Sequence, residues 1–339
     1  MRILVTGGAG FIGSHFVRHW FRRRPDDEVW TLDKLTYAGN PENLSSVRDN
    51  PGYKFLRGDV CNADDVDSVI AGCQYVVNFA AESHVDRSLL EPESFVRTDV
   101  AGVFVLLEAC RRHGVQRFVQ VSTDEVYGAS PSGAAAEDAP LRPSNPYAAS
   151  KAGGDLAALS YFLQRGMHVV VTRGANTFGP NQYPEKLIPL FLTNAIDDLP
   201  LPLYGDGLQV REWIYVLDHC AAIEAALLRG EPGQAYNVGT GVRLTNLDLT
   251  RRILRELGKP ESLIVFVQDR PGHDRRYALD SQKIAGMGWQ PTHDFDSALS
   301  ETVRWYRENE AWWRPIKSGA FRQFYERQYR ERLKLAGRG

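Results

Sequence analysis

The sequence predicts a doubly wound α/β fold, in which a parallel (Rossmann) sheet lies between two layers of helices. Its first half alternates short β-rich runs with longer helical stretches. Several of the β-rich runs, such as Ile3–Val5 and Val169–Val171, are apolar with little alternation, which is typical of strands covered on both faces. Repeated strand–helix–strand order then gives a parallel sheet with helices on each side.

Six strands and four helices are predicted in this half of the chain. The strands are Arg2–Thr6, Glu28–Leu32, Tyr53–Arg57, Gln74–Asn78, Arg117–Ser122 and His168–Arg173. The helices are Phe11–Arg23, Ala63–Ala71, Glu93–His113 and Pro146–Gly166.

The rhythm of strands and helices breaks after about Gly174. Short segments rich in Gly, Pro and Asn follow, such as Gly179–Pro184. We therefore expect a first domain over residues 1–174 and a smaller, loop-rich C-terminal lobe over residues 175–339, with possible return segments to the first domain. The tail from Glu310 interleaves aromatic and basic residues, which predicts an amphipathic helix packed on the body of the protein.

Composition argues for an ordinary globular enzyme. The 339 residues are 43% hydrophobic and 24% charged, and the formal net charge of −2 gives no reason to expect a nucleic acid or a membrane surface as partner. No apolar run approaches the roughly 18 residues of a membrane span. The chain starts on a strand-like run without a basic-then-apolar leader, so we expect the cytoplasm. The four cysteines match no zinc spacing, so no metal is expected.

The turn after the first strand predicts a dinucleotide site. Gly7, Gly10 and Gly13 have a G-x-x-G-x-x-G spacing. Gly10 would let the backbone approach a pyrophosphate, and the amino end of the following helix favours negative phosphates. Glycines alone would equally suit a tight turn. Asp33 ends the second strand, where it can accept hydrogen bonds from ribose hydroxyls and repel a 2′-phosphate, so NAD is favoured over NADP, although Lys34 lies beside it.

Catalytic candidates follow the fifth strand and begin a later helix. Thr123, Asp124 and Glu125 come directly after a buried strand, at the sheet edge where α/β enzymes place chemistry. Tyr147 and Lys151 are four residues apart, so they share one helix face. An ammonium group beside a phenol favours the phenolate, which can take a proton from a sugar hydroxyl. Either pattern alone suits exposed loop carboxylates or a random helical pair, but the combination favours catalysis.

Together these patterns resemble the extended short-chain dehydrogenase/reductase superfamily and, within it, the dTDP-glucose 4,6-dehydratases. The resemblance covers nearly the whole chain. It is carried by Thr6–Gly13, Asp33–Asn40, Ala80–Ser88, Thr123–Glu125, Tyr147–Lys151, Pro184–Pro189, Gly205–Trp213 and Asp269–His273. The Thr-Asp-Glu triplet is the most specific of these, because related epimerases and decarboxylases usually lack the adjacent acidic pair.

The resemblance implies a lyase with NAD as cofactor, a nucleotide sugar as substrate and a three-step cycle. Tyr147 would take the C4 hydroxyl proton while NAD⁺ takes the hydride, and Thr123 would bond the new ketone. Glu125 would then remove the C5 proton while Asp124 protonates the departing C6 hydroxyl, since two neighbouring carboxyls can split into base and acid. The hydride would finally return to C6. The family also implies a homodimer through a four-helix interface made by the Glu93–His113 and Pro146–Gly166 helices.

The same resemblance assigns binding roles, with NAD in the first domain and mainly the nucleotide sugar in the second. Implied cofactor-binding residues are Gly7, Gly10, Phe11, Ile12, Gly13, Asp33, Lys34, Leu35, Thr36, Asp59, Val60, Ala80, Ala81, Ser83, Thr98, Tyr147, Lys151 and Thr177. Implied substrate-binding residues are Ser83, His84, Thr123, Asn176, Lys186, Leu187, Pro202, Tyr204, Arg211, Asn246, Arg270 and His273. By residue type, Asp59 alone is equally suited to a helix cap, whereas the two arginines suit a diphosphate because a guanidinium can bond it bidentately.

Two departures and two alternatives accompany this interpretation. The chain reads Ala175–Phe178 where the family commonly has Ser-Asn-Asn-Tyr, and Thr98-Asp99 where Thr-Asn is usual. One alternative is a nucleotide-sugar 4-epimerase or decarboxylase, which would share Tyr147 and Lys151 but not need the acidic pair. The other is a non-catalytic NAD(H)-sensing protein, which would tend to lose the Tyr or the Lys. The nucleotide base and the hexose stay open.

Overall fold

A seven-stranded parallel sheet forms the centre of the protein, whose computed structural model describes residues 1–337. Its strands are β1 (Arg2–Thr6), β2 (Glu28–Asp33), β3 (Tyr53–Arg57), β4 (Tyr75–Asn78), β5 (Arg117–Thr123), β6 (Val169–Gly174) and β10 (Gln234–Val238). They lie in the order β10-β6-β5-β4-β1-β2-β3 and every neighbouring pair is parallel. The predicted doubly wound α/β fold is therefore confirmed.

Helices cover both faces of this sheet. In the described residues they are α1 (Phe11–Arg23), α2 (Ala63–Ile70), α3 (Val85–Ser88), α4 (Pro92–Val96), α5 (Gly102–His113), α6 (Pro146–Arg165), α7 (Leu187–Ile196), α8 (Val216–Arg229), α9 (Asn246–Leu257), α10 (Gln282–Gly286), α11 (Phe295–Glu308), α12 (Glu310–Ile316) and α13 (Ala320–Leu335). Successive strand residues enter different cores: Ile3 and Val5 join the cluster of α1 and α8, whereas Leu4 joins that of α2, α5 and α6. This two-residue alternation, apolar on both sides, explains the continuous hydrophobic runs.

The segment predicted as one helix over Glu93–His113 is divided into three. Between α4 and α5, residues Arg97–Ala101 form a π-helical turn. The widened turn approaches α6 closely, because a Cβ added to Gly154 would lie 2.5 Å from the backbone oxygen of Asp99. Such turns are frequent at functional sites, and the 3.6-residue period does not reveal them.

The remaining strands form two smaller sheets. They are β7 (Asn176–Phe178), β8 (Leu201–Tyr204), β9 (Val210–Tyr215), β11 (Arg243–Thr245) and β12 (Ile264–Val267). One small sheet has the order β11-β9-β7 and another pairs β12 with β8. Strand β10 returns from this half of the chain to the edge of the central sheet, where it pairs with β6.

The tail forms α12 and α13, whose aromatic residues pack inward. Trp313 is fully buried, and Phe321, Phe324 and Tyr329 are each less than one-tenth exposed. Helix α13 reaches the end of strand β8, where Arg332 donates a 2.7 Å hydrogen bond to the hydroxyl of Tyr204. Within residues 1–337, no helix combines the length and the apolar character that crossing a membrane requires.

Candidate active site

A cavity at the carboxyl ends of the central strands brings together most of the predicted site residues. The predicted residues that line it are Gly7, Gly10, Phe11, Ile12, Gly13, Asp33, Lys34, Thr36, Asp59, Val60, Ala80, Ala81, Ser83, Thr98, Thr123, Asp124, Glu125, Tyr147, Lys151, Asn176, Thr177 and Lys186. The glycine turn forms one wall of the cavity and the end of β5 forms another. A dinucleotide bound there would therefore lie beside the acidic pair.

The glycine turn is shaped so that a ligand backbone can approach it. Gly7 has φ +66°, and a Cβ there would lie 2.6 Å from the nitrogen of Ala80. A Cβ on Gly13 would lie 2.4 Å from the oxygen of Gly7. A Cβ on Gly10 would meet only that same oxygen, at 3.1 Å, and its other side faces the cavity. The first-turn N–H groups of α1 have no acceptor inside the helix. This cradle fits a pyrophosphate.

The residues at the end of β2 fit a ribose that carries free hydroxyls. The carboxylate of Asp33 accepts from the backbone N–H groups of Ala9 at 2.9 Å and Leu35 at 2.8 Å. Its burial raises its pKa despite these bonds. Lys34 forms an ion pair of 2.8 Å with Asp59. Because the ammonium charge of Lys34 is already paired, the negative Asp33 dominates this end of the cavity. Leu35 itself does not line the cavity and acts through its N–H.

The acidic pair sits in a 3₁₀ turn that Thr123 caps. The Thr123 hydroxyl accepts from the N–H of Glu125 at 3.3 Å and donates to Oδ1 of Asp124 at 3.2 Å. Asp124 is 3% exposed, and among the described residues its Oδ2 has no hydrogen-bond partner. Burial, reinforced by the carboxyls of Glu125 and Glu212, raises the pKa of Asp124 well above its ordinary value. A raised pKa favours the protonated form of this carboxyl, from which Asp124 can donate a proton.

Glu125 has a more open setting than its neighbour. It is partly exposed, and Asn145 and the hydroxyl of Tyr277 reach its Oε2 only at 3.5 Å. Bonds this long are weak, so the Glu125 carboxyl is held only loosely by its neighbours. Two adjacent carboxyls in such different surroundings can divide the roles of acid and base.

Tyr147 and Lys151 enter the cavity from the start of α6. Asn145 caps this helix by accepting from the N–H of Ala148 at 2.9 Å. Burial, with the carboxyls of Glu125 and Asp99 nearby, raises the pKa of the Tyr147 phenol well above its ordinary value, while a hydrogen bond with Thr123 lowers it.

Lys151 also has a partner on the neighbouring strand. The ammonium of Lys151 donates to the backbone oxygen of Val121 at 2.7 Å. The sequence predicts that an ammonium beside the Tyr147 phenol favours the phenolate, whereas burial and the nearby carboxyls act in the opposite direction. A cation bound in the cavity would lower the pKa of the Tyr147 phenol, which is the effect expected of Lys151.

Two acidic residues that the sequence did not assign also line the cavity. Glu82 is partly buried, and burial with the nearby carboxyls of Asp99 and Glu185 raises its pKa to about 7. Glu185 accepts from the hydroxyl of Tyr37 at 2.8 Å and from the guanidinium of Arg87 at 2.9 Å. Both acids lie within the motifs that carry the family resemblance, and this was the signal that could have found them.

Thr177 and Phe178 depart from the family pattern, and they occupy different places. Thr177 lines the cavity, whereas Phe178 lies in the core. Phe178 is 1% exposed and packs against Phe295 with ring centroids 5.2 Å apart. The Thr177 hydroxyl bonds Nδ1 of His219 at 2.7 Å. Burial lowers the pKa of His219 to about 4, so this imidazole is neutral. His219 also lines the cavity and was not predicted.

Eight predicted substrate residues lie outside the lining of this cavity. They are His84, Leu187, Pro202, Tyr204, Arg211, Asn246, Arg270 and His273. Tyr204 and Arg270 both contact Asp86, His273 contacts Tyr204, and Arg211 contacts the backbone of Asp274. Tyr204 donates to Asp86 at 3.0 Å, Arg270 pairs with the same carboxylate at 3.2 Å, and the ring of His273 lies 6.0 Å from that of Tyr204. Arg211 donates to the backbone oxygen of Asp274 at 2.9 Å.

Several of these buried polar groups lack a partner in the part of the chain that the structure describes. They include Oδ1 of Asn176, Oδ1 of Asn246 and Nε of Arg270. Buried polar atoms are nearly always hydrogen-bonded in native proteins. These atoms therefore fit a site that a polar ligand completes, with acceptors for N–H or O–H groups and a guanidinium for an anion.

Comparison with known proteins places the chain among enzymes that act on nucleotide sugars. A family model described as GDP-mannose 4,6 dehydratase matches residues 4–302. The dTDP-glucose 4,6-dehydratase of Streptomyces niveus is 53% identical over 323 residues, or 94% of this chain and 96% of that protein. The crystal structure of the dTDP-glucose 4,6-dehydratase of Streptomyces venezuelae with NAD bound has a TM-score of 0.92 at 50% identity, covering 94% of this chain and 100% of the other. The UDP-glucose 4-epimerase of Thermus thermophilus, in complex with NAD, has a TM-score of 0.84 at 34% identity, covering 91% and 100%.

Proposed function

This chain is a member of the nucleotide-sugar 4,6-dehydratase family, and from that membership we propose that it converts dTDP-glucose into the 4-keto-6-deoxy sugar with NAD as its cofactor. One observation carries the proposal: Asp124, a buried carboxyl with a raised pKa, and the more exposed carboxyl of Glu125 share a cavity with Tyr147 and Lys151. An epimerase or a decarboxylase has no use for this acid–base pair.

The first step assigns a base and its support. When bound, NAD accepts a hydride from C4 of the sugar and later returns it to C6. Tyr147 takes the proton of the C4 hydroxyl as that carbon is oxidised. Thr123, which bonds the phenol, is placed to donate to the ketone oxygen that results. General-base assistance of this kind contributes roughly 100- to 10,000-fold in rate.

The second step uses the acidic pair. The 4-ketone acidifies the proton on C5, and Glu125 removes it. Asp124 donates its proton to the C6 hydroxyl, which leaves as water. The raised pKa of Asp124 favours the protonated form that this step requires. In the third step Glu125 returns its proton to C5 as C6 is reduced. The enzyme regains its starting state once Tyr147 releases to solvent the proton of the C4 hydroxyl and Asp124 takes up a proton to replace the one that left in the water.

In this proposal the C-terminal lobe, residues 175–339, holds the nucleotide. Arg211 and Arg270 face the diphosphate, and Asn176 and Asn246 offer their unpartnered oxygens. The division of labour follows the two parts of the chain, with NAD on residues 1–174 and the nucleotide sugar mainly on residues 175–339. Thymine and uracil differ by a methyl group, which is worth only about 1–3 kcal/mol in a pocket, so the base preference has to be measured.

A product assay tests the proposed function. The protein is incubated with dTDP-, UDP-, CDP- and GDP-hexoses, and the alkali-induced absorbance of a 4-keto-6-deoxy sugar is followed. We expect this product, with dTDP-glucose turned over fastest. A C4-epimerised or decarboxylated sugar without it would establish the alternative enzymes, and no turnover with any donor would contradict an enzymatic role.

We also propose that the protein works as a cytoplasmic homodimer. All four cysteines are unpaired, which suits a reducing compartment. Large apolar side chains are exposed on α5 and α6, with Phe104 44%, Leu156 59% and Leu163 81% exposed. Apposing this face to its own copy would bury them in a two-fold, four-helix interface. Sedimentation is expected to give a dimer that Leu156→Glu dissociates, and a monomeric parent would contradict the proposal.

A further inference from the structure

Asp99 is a buried carboxyl located behind the catalytic residues. It lies in the π-helical turn between α4 and α5 and is 1% exposed. Its Oδ1 accepts from the N–H of Glu82 at 2.9 Å, at the edge of the cavity. Its Oδ2 bonds the hydroxyl of Ser150 at 2.7 Å, on α6. Asp99 thus connects the loop after β4 to the helix that carries Tyr147 and Lys151.

The hydroxyl of Ser150 has two acceptors but one proton. Besides Asp99, it lies 2.8 Å from the backbone oxygen of Tyr147. If Asp99 is ionised, Ser150 can donate to only one of them. If Asp99 is protonated, a continuous chain forms: Asp99 donates to Ser150, which donates to the oxygen of Tyr147. The hydrogen-bond geometry therefore accommodates a proton on Asp99.

We propose that Asp99 is a positioning residue for the reaction, whose charge sets the pH range in which Tyr147 serves as the base. The inference rests on the role of Tyr147 in the proposed function. Asp99 touches neither the sugar nor the cofactor in this scheme and acts through α6.

Electrostatics supports this role. The groups that face Asp99 are Lys151 and Tyr147 from α6 and Glu82 from the loop after β4. Burial raises the pKa of Asp99 to about 6, although Lys151 and the bonds from Ser150 and the Glu82 N–H oppose the rise. The ionised carboxylate in turn raises the pKa of the Tyr147 phenol. Above about pH 6 a negative charge therefore opposes formation of the phenolate.

Asparagine is the informative replacement because it imitates the protonated state. Its amide oxygen can accept from the N–H of Glu82, and its NH₂ can donate to Ser150, which then donates to Tyr147. The variant Asp99→Asn keeps the shape and the bonds but never carries the charge. Ser150→Ala is the matched control, since it removes the hydroxyl and leaves the carboxylate.

The first test is the pH dependence of single-turnover C4 oxidation in the holoenzyme. In Asp99→Asn we expect the acidic limb of the pH–rate profile to move to lower pH by about one unit. Removing a neighbouring negative charge lowers the pKa of the Tyr147 phenol, which this limb follows. At a pH on that limb the rate rises up to about tenfold. Ser150→Ala should leave the limb in place. An unmoved limb in Asp99→Asn, or an equal shift in Ser150→Ala, would overturn the proposal.

The second test requires no turnover. The holoenzyme is labelled with ¹³C at its aspartate carboxyls, and the Asp99 resonance is identified by its absence in Asp99→Asn. We expect this resonance to titrate near pH 6. A resonance that keeps the position of a protonated carboxyl throughout the working range would refute the proposal, because Asp99 would then carry no charge to act on Tyr147. This result stands apart from the proposed function, which product formation by the parent enzyme decides.

Discussion

Asp124→Asn separates the elimination step from the rest of the cycle. The replacement keeps the shape of the side chain, and its amide oxygen can still accept the 3.2 Å bond from Thr123. Its amide cannot release a proton to the C6 hydroxyl. Burial raises the pKa of Asp124 well above its ordinary value, which favours the protonated form, so the uncharged amide matches that form while removing the proton donor.

The magnitude follows from that chemistry. Loss of a positioned general acid lowers the rate of its step by roughly 100- to 10,000-fold, which raises the barrier by about 3–5 kcal/mol. Stability should change much less. The variant rearranges hydrogen bonds at one buried site, a change on the order of 1 kcal/mol.

Rapid mixing with dTDP-glucose resolves the two effects. In Asp124→Asn we expect the absorbance of reduced nicotinamide to appear and persist, because C4 oxidation continues while water loss is slow. Denaturant unfolding at the same pH provides the control for folding. Formation of 4-keto-6-deoxy sugar at the parental rate would refute the assignment of Asp124 as the acid. Loss of the reduced-nicotinamide signal in a folded variant would place Asp124 in the oxidation step instead.

Two further predictions concern the base and the stability of the fold. Glu125→Gln should abolish exchange of the C5 proton with deuterated solvent while C4 oxidation is retained, and exchange at the parental rate would show that another group removes this proton. Glu224 joins α8 to α1. Burial raises its pKa, but the bonds from His19 and Arg24 outweigh this and bring the pKa to about 2 from an ordinary 4.5. The depressed pKa means that the stabilisation is complete above pH 4.5 and is lost as the pH falls toward 2. Glu224→Gln should therefore lose roughly 3 kcal/mol of unfolding free energy at pH 7, and the difference from the parent should shrink below pH 4.5; an equal loss at every pH would contradict the ion-pair origin.

Much of the first half of the chain was readable from local patterns. Strands β1 and β3 and helix α1 have the predicted bounds, and the other strand and helix ends mostly differ by one residue. Fully buried parallel strands are continuous apolar runs, and the glycine turn has to be glycine because of φ and close contacts at Gly7 and Gly13. Such features leave a local signal that needs no knowledge of distant contacts.

The helix over Glu93–His113 was less readable. Its π-helical turn comes from packing against Gly154 and from the bond between Asp99 and the Glu82 N–H, both contacts with other elements. The backbone contact of Lys151 was not readable either. A spacing of four residues places Lys151 on the face of Tyr147, whereas the bond from its ammonium to the backbone oxygen of Val121 is a contact with another element.

The sequence by itself determined the fold class, the dinucleotide turn and the identities of the acidic pair, because each depends on residue types at fixed short spacing. The family resemblance implied which carboxyl acts as the acid, but only the tertiary structure supplies a physical reason for that assignment. Asp124 and Glu125 are adjacent and chemically alike, and they differ only in what the folded chain packs around them: a buried setting with an unpartnered oxygen for one and an open edge of the cavity for the other. A pKa depends on solvation and on charges brought close by folding, and these are distances between elements that no local pattern encodes.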